Sequence, residues 1–291
     1  WKSQTSNTIF LYYKQNNIKY IAKNILRGDK MNAGLLLNAT ICFAIAMSSF
    51  AFAWVLARSE EEHSEKSKPA LWSLVVLWSL VGLTYFPTTI RMIAAYFKNP
   101  ELDLLMYNLA AVPFSFVAVP LVFFILYVII GDQKISGYVS LLFVLFGAAY
   151  LTFLYSNGVV GPNVTVFSSI FTINSDVAIS IYLIGLFVIP TAMIIGLLFL
   201  IFLQRMPKRL RYRTALPLVA ISFVFDFMLT DMITLVDVMQ LAARIFVLIG
   251  TVQAFLAYFP PMNLQEKLGI KKYQYELYDN DLEDYEVDID E

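Results

Sequence analysis

Asp226, Asp231, Asp237 and Arg244 all stand inside one greasy stretch, DFMLTDMITLVDVMQLAAR at 226–244, and Arg91 stands in another apolar run at 70–97. Carboxylates and guanidinium groups in such surroundings support three kinds of chemistry. They can pair with one another, hold a small charged ligand, or carry a cation or proton. Each use needs the groups brought to one place, so the elements that carry them decide what is possible.

Covalent catalysis is not expected. The chain has one cysteine, Cys42, and one histidine, His63, so every metal or haem constellation that needs two of either is missing. Nothing resembles a serine triad, a phosphate loop, an H-E-x-x-H pair or the glycine-flanked aspartates of intramembrane aspartyl proteases. The expectation is a non-enzyme with no cofactor, no metal and no nucleic-acid partner.

The elements are apolar helices. Of 291 residues, 59% are hydrophobic and 15% charged, with mean hydropathy +0.66, whereas a soluble domain is about 25% charged. Seven long apolar runs lie near 33–57, 70–97, 104–131, 136–156, 176–203, 214–236 and 238–259, each near the roughly 20 residues that cross a bilayer as a helix. Backbone groups cannot stay unpaired in lipid, and uninterrupted runs do not alternate as barrel strands do. The expected fold is all-α, a polytopic seven-helix bundle with the lipid bilayer as its solvent, over 31–261.

Basic residues set the expected orientation, because Lys and Arg accumulate in cytoplasmic loops. Arg58, Lys66, Lys68, Lys134, the five between Arg205 and Arg213, and Lys267, Lys271 and Lys272 fall on one side; Lys98 falls on the other. Met31 is then outside and the tail inside, in the plasma membrane. The same count splits 214–259 into two helices that bend near 232–237, with Asp237 and Gln240 at capping-box spacing.

That topology places the polar residues at one depth, the outer half. Arg244 lies about 10 Å in from the outer end of its helix and Arg91 about 9 Å. Asp226, Thr230 and Asp237 fall on one helical stripe. Charges at such depth cost about 2.5–3.5 kcal/mol each and should face the bundle interior. The expected cluster is Arg91, Tyr107, Asn108, Asp226, Thr230, Asp231 and Arg244, with Arg244 paired to Asp226 or Asp231 and Arg91 on the same group. Bland alternatives stand beside it: Asp103, Asp176 and Asp237 as helix caps, Asp231 exposed in the turn, Tyr107 and Tyr155 as interface anchors, and the arginine pairs as a purely structural clamp.

The long outer loop 157–175 reads as a hairpin or lid above that cluster, or as a segment dipping into the interface at 170–173. It holds a weak glycosylation sequon at Asn163. Pro87, Pro113, Pro120 and Pro190 sit inside helices and should bend them. At the ends, residues 1–30 lack an initial Met and read as translated upstream sequence or a disordered basic arm. Residues 262–274 read as an interfacial helix, and 275–291, with nine acidic residues, as a disordered tail or docking segment. Without 1–30 the net charge of −1 becomes −6.

Seven helices, an outer polar pocket and the closing stretch RIFVLIGTVQAFLAYFPP at 244–261 together resemble the membrane regions of prokaryotic seven-helix sensor proteins, such as those preceding histidine kinases. The likeness covers about 31–261, and this chain departs from it in showing no output domain. Microbial rhodopsins are set aside because 238–259 contains no lysine for a Schiff base. The resemblance implies a receptor-like sensor that binds a small polar or charged extracellular ligand and signals to a cytoplasmic partner through 262–291. The competing expectations are a structural or assembly subunit with an internal ion-pair clamp, and a small transporter or ion pathway.

Overall fold

The computed structural model describes residues 33–59, 67–203, 208–259 and 261, with the backbone alone described over 208–214. The expectations for 1–30, 262–274 and 275–291 lie outside the described residues. The fold is all-α except for one hairpin. Seven helices are each long and apolar enough to cross a membrane: α1 Ala33–Arg58, α2 Lys68–Tyr96, α3 Pro100–Ile130, α4 Gln133–Asn157, α5 Asp176–Leu203, α6 over Lys208–Ile233 and α7 Asp237–Tyr258. The bend expected at 232–237 falls at residues 234–236.

Each helix buries one stripe and exposes another. In α1 the buried positions Leu35, Ala39, Cys42, Ile45, Ala46, Phe52, Ala53 and Leu56 recur at helical spacing, while Leu36, Phe43, Met47 and Trp54 are exposed. Apolar on both faces, such a helix suits a lipid surround rather than water. The bundle core is built from Trp78, Tyr85, Leu121, Ile125, Tyr150, Leu154 and Ile194, with Phe52 joining α1 to α2 through Trp78 at 4.8 Å and to α7 through Phe255 at 5.8 Å.

Local chemistry fixes the helix ends. Asn99 caps α3 by accepting from the Leu102 N–H at 3.1 Å, with Pro100 at the first helical position. Asp132 caps α4 by accepting from Lys134 N at 2.7 Å and Ile135 N at 3.2 Å, and Ser175 caps α5 by accepting from Ala178 N at 3.2 Å.

Two of the prolines do more than bend a helix. Helix α3 is interrupted at Val117, between Pro113 and Pro120, into Pro100–Phe116 and Ala118–Ile130. Pro120 has no N–H to offer the Phe116 carbonyl, and Val117 N turns tightly onto the Phe114 carbonyl at 3.2 Å. Gly147 of α4 packs onto this break so closely that a Cβ there would stand 2.6 Å from the Ser115 carbonyl. In α5 a π-helical segment, Tyr182–Val188, precedes Pro190. The pyrrolidine ring crowds the carbonyl four residues back, and a widened turn relieves that contact.

Between α4 and α5 the expected hairpin forms, β1 Val159–Val164 and β2 Ser169–Ile173, antiparallel, with an irregularity between Val160 and Asn163. Its inner strand buries Ser169, Ile170 and Phe171. Ile170 and Phe171 therefore lie against the bundle, while Thr172 is exposed and Ile173 half-buried.

Candidate functional site: a polar latch at one mouth

The hairpin seats over one end of the bundle, where α1 starts, α2 meets α3 and α6 meets α7. Gly34 at the start of α1 lies under the hairpin tip: a Cβ there would come 2.1 Å from the Val166 carbonyl, and only glycine leaves room. Asn38, one turn on and fully buried, donates its amide to the Phe167 carbonyl and accepts from Cys42 Sγ at 3.7 Å. The tip itself closes through Thr165 N on the Ser168 carbonyl at 2.8 Å.

Beneath the hairpin lie two ion pairs. Arg91 Nε meets Asp103 Oδ1 at 3.2 Å across the α2–α3 turn, and its terminal nitrogen donates to the Ser169 carbonyl at 2.9 Å. The Ser169 hydroxyl donates to the other Asp103 oxygen. The guanidinium lies 4.8 Å from the Tyr107 ring and 5.2 Å from the Phe171 ring, so it sits between two aromatic faces as well as on a carboxylate. Arg91 is 4% exposed and Asp103 0%.

The second pair joins α6 to α7. Arg244 Nε donates to both oxygens of Asp231 at 2.9 Å, and another guanidinium nitrogen reaches Met92 Sδ at 3.5 Å. Tyr85 donates to Asp231 from α2 at 3.5 Å. Arg244 is 2% exposed and Asp231 4%. The hairpin touches this side too: the Ser168 hydroxyl donates to Gln240 Oε1, and Gln240 donates to the Thr234 carbonyl at 2.7 Å.

Several expectations are corrected by this geometry. Arg91 and Arg244 do not share one partner, because Asp103 and Asp231 hold them separately. Asp103 is not a cap: Asn99 caps α3, and Asp103 is buried one turn further in. Asp231 is not exposed in the turn, and Tyr107 is buried on Arg91 rather than set in an interface belt. Asp176 is the first helical residue behind the Ser175 cap. Val236 stands at the cap position of α7, and Gln240 pins the hairpin instead of completing a capping box with Asp237.

The remaining candidates lie outside the latch. Asn108 offers its backbone carbonyl to the Tyr155 hydroxyl at 2.8 Å. Asp226 and Thr230 are half-buried on another side of α6, where Thr191 Oγ1 and Ser222 Oγ donate to the Asp226 carboxylate at 2.9 and 3.2 Å. Asn163 is exposed on β1, while its sequon threonine, Thr165, spends its hydroxyl on the Ser168 carbonyl at 2.9 Å.

Sequence reasoning missed Asp103 as an ion-pair partner, along with Ser168, Ser169, Phe171, Gln240 and Asn38. Asp103 had a usable signal, since residues flanking a tight helix–helix turn sit at similar depth. The hairpin residues had none without its seating.

Chemically, the cluster is a closed set. Each guanidinium has a carboxylate, and the carboxylates are completed by hydroxyl donors, Ser169 on Asp103 and Tyr85 on Asp231. A cavity of about 10 Å³ among Leu77, Trp78, Val117, Ile221 and Phe225 lies away from it, too small for more than a single water. A lateral groove of about 650 Å³ opens near the opposite mouth, beside Lys68 and Gln133, lined by Trp72, Val76, Phe123 and Leu141. Among the described residues no group of three or more His, Cys, Asp or Glu side chains is placed to hold a metal ion. No family model, no curated protein and no solved structure matches the chain.

Proposed function

We propose that this multi-pass membrane protein is a non-catalytic assembly subunit whose outer mouth is locked by the two arginine pairs and the hairpin laid across them. The observation that carries the reading is the completeness of the latch: both buried guanidiniums find their carboxylates within the chain, at 3.2 and 2.9 Å, and the hairpin adds a carbonyl to Arg91. Buried pairs of this kind fix register and packing without needing a ligand. Basic residues gather at the end opposite the hairpin, which supports an outward hairpin, an outer N-terminus and a cytoplasmic tail in the plasma membrane. The test is gentle extraction from native membranes. A stoichiometric complex supports the subunit reading, and a chain that runs alone overturns it.

A receptor-like reading has one specific observation behind it. The Ser169 carbonyl on Arg91 is a neutral contact from the hairpin, and an anionic ligand could replace it at the cost of lifting the hairpin. A panel of small carboxylates and phosphate, added from outside, separates the two readings. A rise in melting temperature that vanishes in Arg91→Leu favours the receptor, and a flat response favours the lock.

A further inference from the structure

Asp226 stands apart from the latch and, unlike Asp103 and Asp231, has no arginine beside it among the described residues. Among the described residues no cation lies within ion-pair distance of it, since the two buried pairs use Asp103 and Asp231. Its carboxylate is held only by two hydroxyls, Thr191 from α5 and Ser222 one turn away on α6. It lies seven residues inside the end of α6, roughly 10 Å deep. A carboxylate at that depth calls for a partner of opposite charge.

The surroundings say from which side that partner comes. Ser222, Asp226 and Thr230 form a half-buried stripe at four-residue spacing, flanked along α6 by the exposed Val219 and Ile233. On α5 the side that meets Asp226 carries the half-buried Thr191 and, one turn on, the exposed Ile195. One face thus combines a carboxyl group with no described cation beside it, hydroxyl donors and exposed apolar side chains.

We propose that the α5–α6 face around Asp226 docks a membrane-spanning helix of another protein that carries a lysine or arginine at the same depth. The proposal rests on the assembly reading and names its contact. Charge complementarity selects the occupant: in a second copy of this chain the two arginines buried among the described residues are already engaged, and a purely apolar helix would leave the carboxylate in lipid without a counter-charge.

The test uses the full chain in liposomes with a synthetic leucine-rich transmembrane peptide bearing one lysine about 10 Å from its outer end, the depth of Asp226 by helical rise. Energy transfer between labels on the two reads association. The lysine peptide should bind about tenfold more tightly than the same peptide with leucine, in line with one polar contact between helices in lipid. Asp226→Asn should erase the difference and leave the melting temperature unchanged. Should Asp226→Asn fail to fold, Ile195→Trp, one turn from Thr191 and exposed, obstructs the approach without touching the carboxyl group and should weaken the lysine peptide to the same level.

Equal binding of the two peptides overturns the proposal. So does full binding by Ile195→Trp, or a sodium-dependent rise in melting temperature that disappears in Asp226→Asn, which would make the carboxylate an ion site. In native membranes, a complex that survives Asp226→Asn removes this contact while the assembly reading stands. A chain that runs alone removes the assembly reading.

Discussion

Removing either member of the Arg244–Asp231 pair should harm the protein more than removing both. Arg244 Nε reaches both Asp231 oxygens at 2.9 Å, and the two residues are 2% and 4% exposed. Arg244→Met leaves the Asp231 carboxyl among apolar neighbours with only Tyr85 at 3.5 Å; Asp231→Leu strands a guanidinium against Met92. An uncompensated buried charge costs about 3–5 kcal/mol, whereas exchanging a buried pair for apolar groups of similar volume is often close to neutral. For a bundle of this size that corresponds to roughly 6–20 °C in melting temperature for each single variant, and a few degrees at most for the double. The assay is thermal unfolding of the purified full chain in detergent, read as a double-mutant cycle. A double variant that falls by the sum of the two singles would show that the residues do not act as a pair, and the lock would fall with it.

Three further outcomes follow from other contacts. Gly34→Val should push the hairpin off its seat, because a Cβ there stands 2.1 Å from the Val166 carbonyl; the cost is about 1–3 kcal/mol, and a cysteine placed at Ser168 should become reactive to a membrane-impermeant maleimide only in that background. Ser49→Ala should raise the melting temperature, since among the described residues the buried Ser49 hydroxyl has no hydrogen-bond partner and an unsatisfied group costs about 1–3 kcal/mol; a lower melting temperature would mean the hydroxyl has a partner in the membrane. Deleting 275–291 should leave thermal unfolding unchanged, because that block of nine acids is expected to be solvated, and a marked drop would assign it a structural role.

The seven helices were legible because uninterrupted apolar runs at membrane length allow few alternatives, and the bend before Asp237 followed from where basic residues fall. The Arg244–Asp231 pair was legible as one of two options. Geometry shows why the other failed: Asp226 and Asp231 are five residues apart, about 140° around the helix, so both cannot face α7. The misreading of Asp103 has a different origin. Its position near Pro100 satisfies the local preference for an acid at a helix start, and only the pairing of α2 with α3 turns it toward Arg91. The π segment in α5 was legible as a bend at Pro190, but not in its form, because the carbonyl that yields is decided by packing on Tyr182, whose hydroxyl is held by the Leu229 carbonyl at 2.7 Å.

Among the described residues both buried charge pairs and the hairpin contacts gather at one mouth, while the far ends of α2, α3 and α4 part around a groove beside Lys68 and Gln133. The molecule is like a sheaf bound near its top. Thinning or thickening of the surrounding bilayer is then absorbed by splaying of the unbound ends, with the hairpin end holding its shape. Amide exchange should therefore grade along each helix, slow near Arg91 and Arg244 and fast toward Gly137.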